Sequence, residues 1–179
     1  LDEADHLLSD KNDSFYAGNM IAAWAGKYID MVKEKPATKK QVLARLSGET
    51  YTTELLAGNH SLLADEPKSA GGNDLGPSPY ELMASGLGAC TAITLQMYAN
   101  RKKWDLKEVR VHLEHRKEHA KDCEACEDSD TSKIDKFERI IEIEGNLDEK
   151  QKHRLLEIAN KCPVHRTLTG DILVETKLR

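Results

Sequence analysis

The four cysteines of this chain, at positions 90, 123, 126 and 162, are the residues with the clearest capacity for chemistry. A cysteine thiolate can attack a peroxide oxygen and become a sulfenic acid, with which a second thiol condenses to form a disulfide. Cysteines can also bind a metal ion, or fill an apolar core as small hydrophobic residues. The sequence around each cysteine indicates which of these roles is open to it.

Cys90 lies in an uncharged run, Leu82 to Ala99, that predicts a long helix buried on nearly all sides. It shares one face of that helix with Leu82, Gly86, Ala89, Ile93 and Met97. Cys162 follows a second helical pattern, residues 148–161, and lies on its apolar side. Two inward-facing thiols on two core helices can form an attacking and a resolving pair, and they can equally be inert core residues.

A thiolate at Cys90 needs a nearby positive charge. Desolvation disfavours the charged form of a buried thiol, and position 90 is too far along its helix to benefit from the positive N-terminal end. The cations that the sequence offers are Arg45, His60, His165 and Arg166. The sequence does not choose among them.

A second group of potential ligands forms the pattern H-x3-H-x3-C-x2-C, made of His115, His119, Cys123 and Cys126. Two imidazoles and two thiolates can complete a tetrahedral structural zinc site, which the surrounding acidic residues favour electrostatically. The segment lies in a polar connection between two predicted strands, where a C-x2-C pair can also be a second redox pair or two exposed thiols. Zinc binding is one prediction for this cluster, and the two other roles stay open.

The composition is that of an ordinary globular protein. The 179 residues are 39% hydrophobic and 32% charged, with a formal net charge of -5, which suits one domain with an appendage. Lys and Arg are scattered, so the basic surface that nucleic acids or anionic membranes require is missing. The run around Cys90 is too polar for a membrane span, and no signal peptide is visible. We therefore expect a cytoplasmic protein without nucleic-acid or membrane partners.

Hydrophobic periodicity predicts an α+β fold, with the order three strands, helix, two strands, helix, strand. The predicted strands are residues 42–46, 51–56, 60–64, 109–114, 137–144 and 172–178. The sequence Ser78-Pro79-Tyr80-Glu81 predicts a capping box at the start of the first core helix. A charged stretch with a proline, residues 33–40, is typical of a linker and divides the chain into a helical segment, 1–35, and a main domain, 36–179.

The run GGNDLGPSPYELMASGLGACTA, residues 71–92, together with the later Cys162-Pro163-Val164, resembles the OsmC/Ohr family of thiol-dependent peroxidases. The resemblance implies an intertwined homodimer in which curved antiparallel sheets wrap two central helices, with active sites at the subunit interface. It also implies reduction of organic hydroperoxides, with Cys90 attacking, Cys162 resolving and an external dithiol as reductant. No organic cofactor is required.

The chain departs from this family directly after the proline that starts the helix, where the family has a Glu and this chain has Tyr80. The acid comes one residue later, as Glu81, which is rotated by about 100° around the helix. Arg45 lies slightly before the place where the family has an arginine. The resemblance carries Glu81 and Arg45 over as the acid and the cation that orient Cys90. Each has a plainer alternative role, in the capping box and at a strand edge.

The N-terminal segment has a different resemblance. Asp5-His6, followed by Tyr16-Ala17-Gly18 and Trp24, is similar to the last part of an α/β-hydrolase, in which the triad histidine precedes the terminal helix. By this resemblance His6 is the general base of a Ser-His-Asp triad, but the chain contains no G-x-S-x-G motif that could supply the serine. We therefore expect the chain to be the C-terminal portion of a hydrolase–OsmC fusion.

Two hypotheses of function follow. The leading one is a thiol-dependent peroxidase that reduces organic hydroperoxides through Cys90 and Cys162. The alternative is a non-catalytic OsmC-like binding or regulatory module attached to a serine hydrolase, which the presence of Tyr80 favours.

Overall fold

A computed structural model describes residues 5–7, 9–26, 38–48, 50–119 and 133–178 of the chain. The chain separates into two compact units, Leu1–Leu43 and Ala44–Arg179. The first unit contains helix α1, Lys11–Ala25, whose apolar side chains Phe15 and Trp24 are exposed. The predicted domain boundary at residue 35 lies outside the described residues, so it stays a prediction.

The strands form two separate sheets. Strands β1 (Val42–Leu46), β2 (Thr53–Ala57) and β3 (His60–Ala64) make a three-stranded sheet in that order. β2 and β3 pair antiparallel through a two-residue turn at Gly58, whose left-handed φ of 59° is the conformation such turns need. Strands β4 (Asp105–His119) and β5 (Lys133–Asn146) form a long antiparallel ribbon.

The helix that carries Cys90 is α2, Pro79–Lys102. Its start is the predicted capping box: the Ser78 hydroxyl accepts from the Glu81 backbone, and the Glu81 carboxylate accepts from the Ser78 backbone. By length and composition α2 could cross a membrane. Its packing against β4 and against two later helices is instead typical of a core helix.

The last two helices meet at Cys162. Helix α3, Glu149–Ala159, begins with a second capping box, between Asp148 and Gln151. Pro163 opens a new helix, α4 (Pro163–Leu168), because proline fits the first turn of a helix. Cys162 is the N-cap residue of α4.

The core lies where α2 and α3 pack on one face of the β4–β5 ribbon. One face of α2 is buried there, and its buried residues are Leu87, Thr91, Leu95 and Ala99. Leu95 and Leu155 are fully buried at the centre, and Leu106 and Leu147 close the core near the base of the ribbon. The predicted α+β fold with antiparallel sheets is confirmed.

Two predictions from the sequence are wrong for the single chain, one about burial and one about a strand. α2 is not buried on all sides, because Ile93 and Met97, on the face that carries Cys90, are 59% and 67% exposed. Residues 172–178 do not form a strand, and Leu173 and Val174 are exposed. The apolar patterns were recognised correctly, but the described part of this chain provides nothing to cover them.

Candidate active site

The contact between α2 and α4 brings the two predicted reactive positions into one neighbourhood. Thr91 Oγ1 lies 3.7 Å from the sulfur of Cys162, and both residues are fully buried. Cys90 is the residue before Thr91 and is half-buried. Both cysteines are free thiols. The prediction that Cys162 faces inward is confirmed, whereas Cys90 lies at the margin of the exposed apolar face of α2.

The sulfur of Cys162 has one backbone donor. As the N-cap residue of α4, it accepts a hydrogen bond from the His165 backbone N–H at 3.3 Å. An anionic sulfur accepts such a bond more strongly than a neutral thiol does. The local chain geometry after residue 161 therefore presents this sulfur to a donor.

A cation that was not among the predicted ones, Arg139 of β5, reaches this neighbourhood. Its guanidinium donates to Thr91 Oγ1 at 2.9 Å and to Asn160 Oδ1 at 2.8 Å. The sequence did contain a signal, since Arg139 interrupts the inward-facing row of Phe137 and Ile141 on a strand with period-two alternation. A charged residue in an inward row needs a buried partner, and here that partner is Thr91.

The other candidate cations have different positions. Arg45 lies on β1 and forms an ion pair with Glu54 of β2, with 3.7 Å between Nη1 and Oε2. His60 and Arg166 are exposed. Burial first, and the charge of Arg139 second, lower the pKa of His165, so its ring is neutral at physiological pH. Arg139 is thus the half-buried cation that contacts Thr91, the residue against the Cys162 sulfur.

Glu81 is engaged at the start of α2. Its carboxylate accepts from the Ser78 backbone N–H at 2.7 Å and from the Ser78 hydroxyl at 2.8 Å. These bonds, the backbone one first, lower the pKa of Glu81. Glu81 precedes Cys90 by nine positions, a rise of about 13 Å along a helix, so it does not contact the Cys90 thiol of its own chain.

A groove of about 920 Å³ runs along a different side of α2 from Cys90. Small residues of the helix form its floor, Leu113 of β4 forms one wall, and the loop Asp74–Pro77 forms the other, with the Glu81 carboxylate beside it. The backbone of this loop is tied to Asp65, whose carboxylate accepts from the N–H groups of Asn73 and Leu75. The groove can receive a ligand, but Cys90 does not line it.

The predicted zinc cluster is only partly described. His115 Nε2 lies 2.8 Å from Asp135 Oδ1, and its ring packs against Tyr80 and Phe137. Cys123 and Cys126 lie outside the described residues, as does the side chain of His119. Among the side chains that are described, no three His, Cys, Asp or Glu converge on a point where they could hold a metal. Zinc binding stays a prediction.

The family of the chain follows from its sequence match. The model of the family described as OsmC-like protein matches residues 71–177, which is more than half of the chain. The chain belongs to this family. The match contains Cys90, Cys162, Thr91 and Arg139, and it does not reach α1. The expected hydrolase remnant at the N-terminus therefore stays a prediction, and His6 is an exposed residue.

Solved structures share the fold of this OsmC-like protein. An OsmC-like protein from Mycoplasma pneumoniae superposes with a TM-score of 0.58 at 19% identity, covering 75% of this chain and 90% of that one. An organic hydroperoxide resistance protein OsmC from Legionella pneumophila gives 0.54 at 20% identity, covering 75% and 93%. An organic hydroperoxide resistance protein from Elizabethkingia anophelis gives 0.56 at 19% identity, covering 76% and 92%. No curated protein matches the sequence significantly.

Proposed function

We propose that this OsmC-like protein is a thiol-dependent peroxidase that reduces organic hydroperoxides through Cys90 and Cys162. The observation that carries the proposal is the packing of α2 on α4, in which Thr91, the neighbour of Cys90, contacts the Cys162 sulfur. Two free thiols on packed helices are the arrangement that a two-cysteine mechanism needs. The similar Legionella and Elizabethkingia proteins are named for organic hydroperoxide resistance, which points to the same class of substrate.

The proposed reaction has three balanced steps. The Cys90 thiolate attacks the terminal oxygen of the hydroperoxide, the O–O bond breaks, and the alkoxide leaves and takes up a proton to become an alcohol. The Cys162 thiolate then attacks the sulfur of the Cys90 sulfenic acid, forming a disulfide and releasing hydroxide, which is protonated to water. An external dithiol reduces this disulfide and becomes a disulfide itself. The chemistry requires no metal and no organic cofactor.

The proposal includes a homodimer, because the apolar face of α2 around Cys90 is uncovered in the single chain. Met83, Ile93 and Met97 are exposed on this side of the helix. The apolar side chains of the segment 172–178 are exposed as well. A second copy that covers these surfaces would turn the half-buried thiol of Cys90 into the floor of an apolar pocket. An apolar pocket suits a lipid-like or aromatic hydroperoxide.

In the proposed dimer, the second subunit supplies Glu81 and Arg45 to the site around Cys90. In its own chain Glu81 is nine residues from Cys90 and occupied by Ser78, and Arg45 is paired with Glu54. A contact with Cys90 therefore has to form across the dimer interface. There the positive charge of Arg45 would stabilise the Cys90 thiolate, and Glu81 would orient Arg45.

Peroxide consumption tests the proposed function. Reduced protein is mixed with cumene hydroperoxide and dithiothreitol, and the loss of peroxide is followed for the parent, Cys90→Ser, Cys162→Ser and a Cys123→Ser/Cys126→Ser control. We expect Cys90→Ser to abolish turnover and the control to retain it. A Cys90→Ser protein that consumes peroxide as fast as the parent would falsify the proposal.

A non-catalytic binding module is the second candidate function, and the groove favours it. This groove lies on a side of α2 that Cys90 does not line, and the family's acid position is occupied by Tyr80. A module that only binds ligands would not accelerate the loss of peroxide in this assay. The attachment of such a module to a serine hydrolase stays a prediction.

A further inference from the structure

Arg139 connects three elements around Cys162. From β5, its guanidinium donates to Thr91 Oγ1 of α2 at 2.9 Å, to Asn160 Oδ1 at 2.8 Å and to the Ala159 carbonyl at 3.3 Å. The last two partners lie at the end of α3, directly before Cys162. The guanidinium is therefore fixed in position next to the segment that carries the sulfur.

Thr91 stands between the guanidinium and the sulfur. Its fully buried hydroxyl accepts from Arg139, donates to the Leu87 carbonyl at 2.8 Å and lies 3.7 Å from the Cys162 sulfur. A hydroxyl has one hydrogen to donate. When the sulfur is a neutral thiol, that hydrogen can stay on the Leu87 carbonyl. When the sulfur is anionic, the hydroxyl can turn to it, and the Leu87 carbonyl keeps its ordinary helical hydrogen bond.

A positive charge and a backbone donor lie near the sulfur of Cys162. The charged and titratable side chains near Cys162 include the half-buried Arg139 of β5 and His165 of α4, whereas Lys161 and Arg166 are exposed to solvent. The ring of His165 is neutral at physiological pH for the reasons given above, so the positive charge comes from Arg139. The His165 backbone N–H adds a second donor at 3.3 Å. Because the site is buried, these interactions are weakly screened.

We infer that Arg139 is a positioning residue that stabilises the Cys162 thiolate through the Thr91 hydroxyl. Arg139 donates to the hydroxyl oxygen, so the hydroxyl hydrogen can turn from the Leu87 carbonyl to an anionic sulfur without losing this bond. The inference that this thiolate serves as the resolving nucleophile rests on the proposed function. The stabilised thiolate itself does not, since it follows from the contacts of Thr91, Arg139 and His165.

Ionisation of Cys162 can be measured without any peroxidase activity. In the full chain carrying Cys90→Ser, the ultraviolet absorbance of thiolates is followed against pH, and the same titration of a Cys90→Ser/Cys162→Ser protein is subtracted. We expect Arg139→Met to move the Cys162 transition towards higher pH by about one unit, a tenfold lower thiolate fraction. Arg139→Lys should recover part of this shift, because it retains the charge.

The pair Thr91→Val and Thr91→Ser separates stabilisation of the Cys162 thiolate by the Thr91 hydroxyl from a purely structural role of Thr91. Valine keeps the shape of threonine and removes the hydroxyl, so we expect it to raise the transition as Arg139→Met does, whereas serine should leave it unchanged. This pair also carries the test if Arg139→Met does not fold. A folded Arg139→Met protein with an unchanged transition overturns the inference, and so does a Thr91→Val protein that titrates like Thr91→Ser.

The two proposals fail in different ways. If the parent does not consume peroxide but Arg139→Met shifts the Cys162 transition, the proposed function is wrong and the stabilised thiolate stands. If the parent consumes peroxide and neither the Arg139 nor the Thr91 variants move the Cys162 transition, the proposed function stands and the inference about Arg139 and Thr91 is wrong.

Discussion

Tyr80 stacks face to face on His115, with 4.0 Å between the ring centroids and 6° between the ring planes. His115 in turn contacts Phe137 and lies within hydrogen-bond distance of Asp135. Tyr80, at the position where the family has an acid, therefore connects the start of α2 to the β4–β5 ribbon. The same stack occupies one face of the first predicted zinc ligand and gives His115 a structural role that the sequence did not suggest.

The Tyr80–His115 stack makes a measurable contribution to stability. We expect Tyr80→Ala to lower the free energy of unfolding by about 1 kcal/mol, the usual contribution of an aromatic pair beyond its buried area. Tyr80→Phe retains the stacked ring and should unfold like the parent. Urea unfolding of the three proteins measures the difference, and equal midpoints for Ala and Phe would show that the stack contributes nothing.

Asp65 predicts an acid dependence of stability. Asp65 is only 2% exposed, and this burial raises the pKa of its carboxyl. Hydrogen bonds from the Thr52 hydroxyl and from three backbone N–H groups outweigh burial, so the pKa lies below its ordinary value of 3.8. A carboxyl whose pKa is lower in the folded than in the unfolded state contributes stability above its unfolded pKa, and this contribution is lost as pH falls through the folded value. We therefore expect this part of the stability to disappear below about pH 4.

The Asp65 prediction is checked by thermal unfolding across the acid range. Asp65→Asn should be less stable than the parent at neutral pH and should lose less stability on acidification. Asp74→Asn is the matched control, because Asp74 is an exposed acid of the same loop and asparagine tolerates its left-handed φ of 60°. Parallel pH curves for the parent and Asp65→Asn would contradict the assignment.

The exposed apolar face of α2 predicts how the protein self-associates. Ile93→Glu places a charge in the proposed dimer interface, so we expect it to prevent dimerisation. Because the Ile93 side chain is already exposed in the single chain, the variant should still fold. Asn100→Glu, at the exposed end of the same helix, should remain dimeric. Light scattering after size-exclusion chromatography gives the masses, and a dimeric Ile93→Glu protein would place the interface elsewhere.

Glu81 can be tested for a role beyond its cap. Glu81→Gln retains an acceptor for both Ser78 donors, so stability should change little, but the loss of the charge should slow peroxide consumption by about tenfold. Ser78→Ala removes the cap hydroxyl and keeps the carboxylate, and we expect it to cost about 1 kcal/mol of stability with little change in rate. If Ser78→Ala slows the reaction as much as Glu81→Gln, Glu81 acts only through the helix start.

Local signals in the sequence predicted the local features of the site. The capping box at Ser78 and Glu81 depends on residues three positions apart, so its pattern is complete within one turn. Alternation along the strands and the helical pattern before Cys162 predicted the α+β fold and the burial of that sulfur, whereas the antiparallel sheets were implied by the family resemblance. These features follow from hydrogen-bonding geometry and periodicity, which neighbouring residues determine.

Other features depend on residues far apart in the chain or on a second molecule. The contact of Thr91 with Arg139 and Cys162 joins three elements, and alternation showed only that Arg139 faces inward, not what it meets. An apolar pattern also does not specify what covers it, which is why the face of Ile93 was predicted to be buried. The last apolar segment, 172–178, was predicted as a strand for the same reason, although a strand requires a neighbour to pair with.

The most direct test of the account is the fate of the thiols after one equivalent of cumene hydroperoxide. The parent is treated, alkylated and digested without reductant, and its peptides are weighed by mass spectrometry. We predict a disulfide between Cys90 and Cys162, and in Cys162→Ser a sulfenic acid on Cys90 that dimedone traps. Thiols at both positions that stay reduced, or a Cys90 that oxidises without ever joining Cys162, would contradict the two-cysteine mechanism.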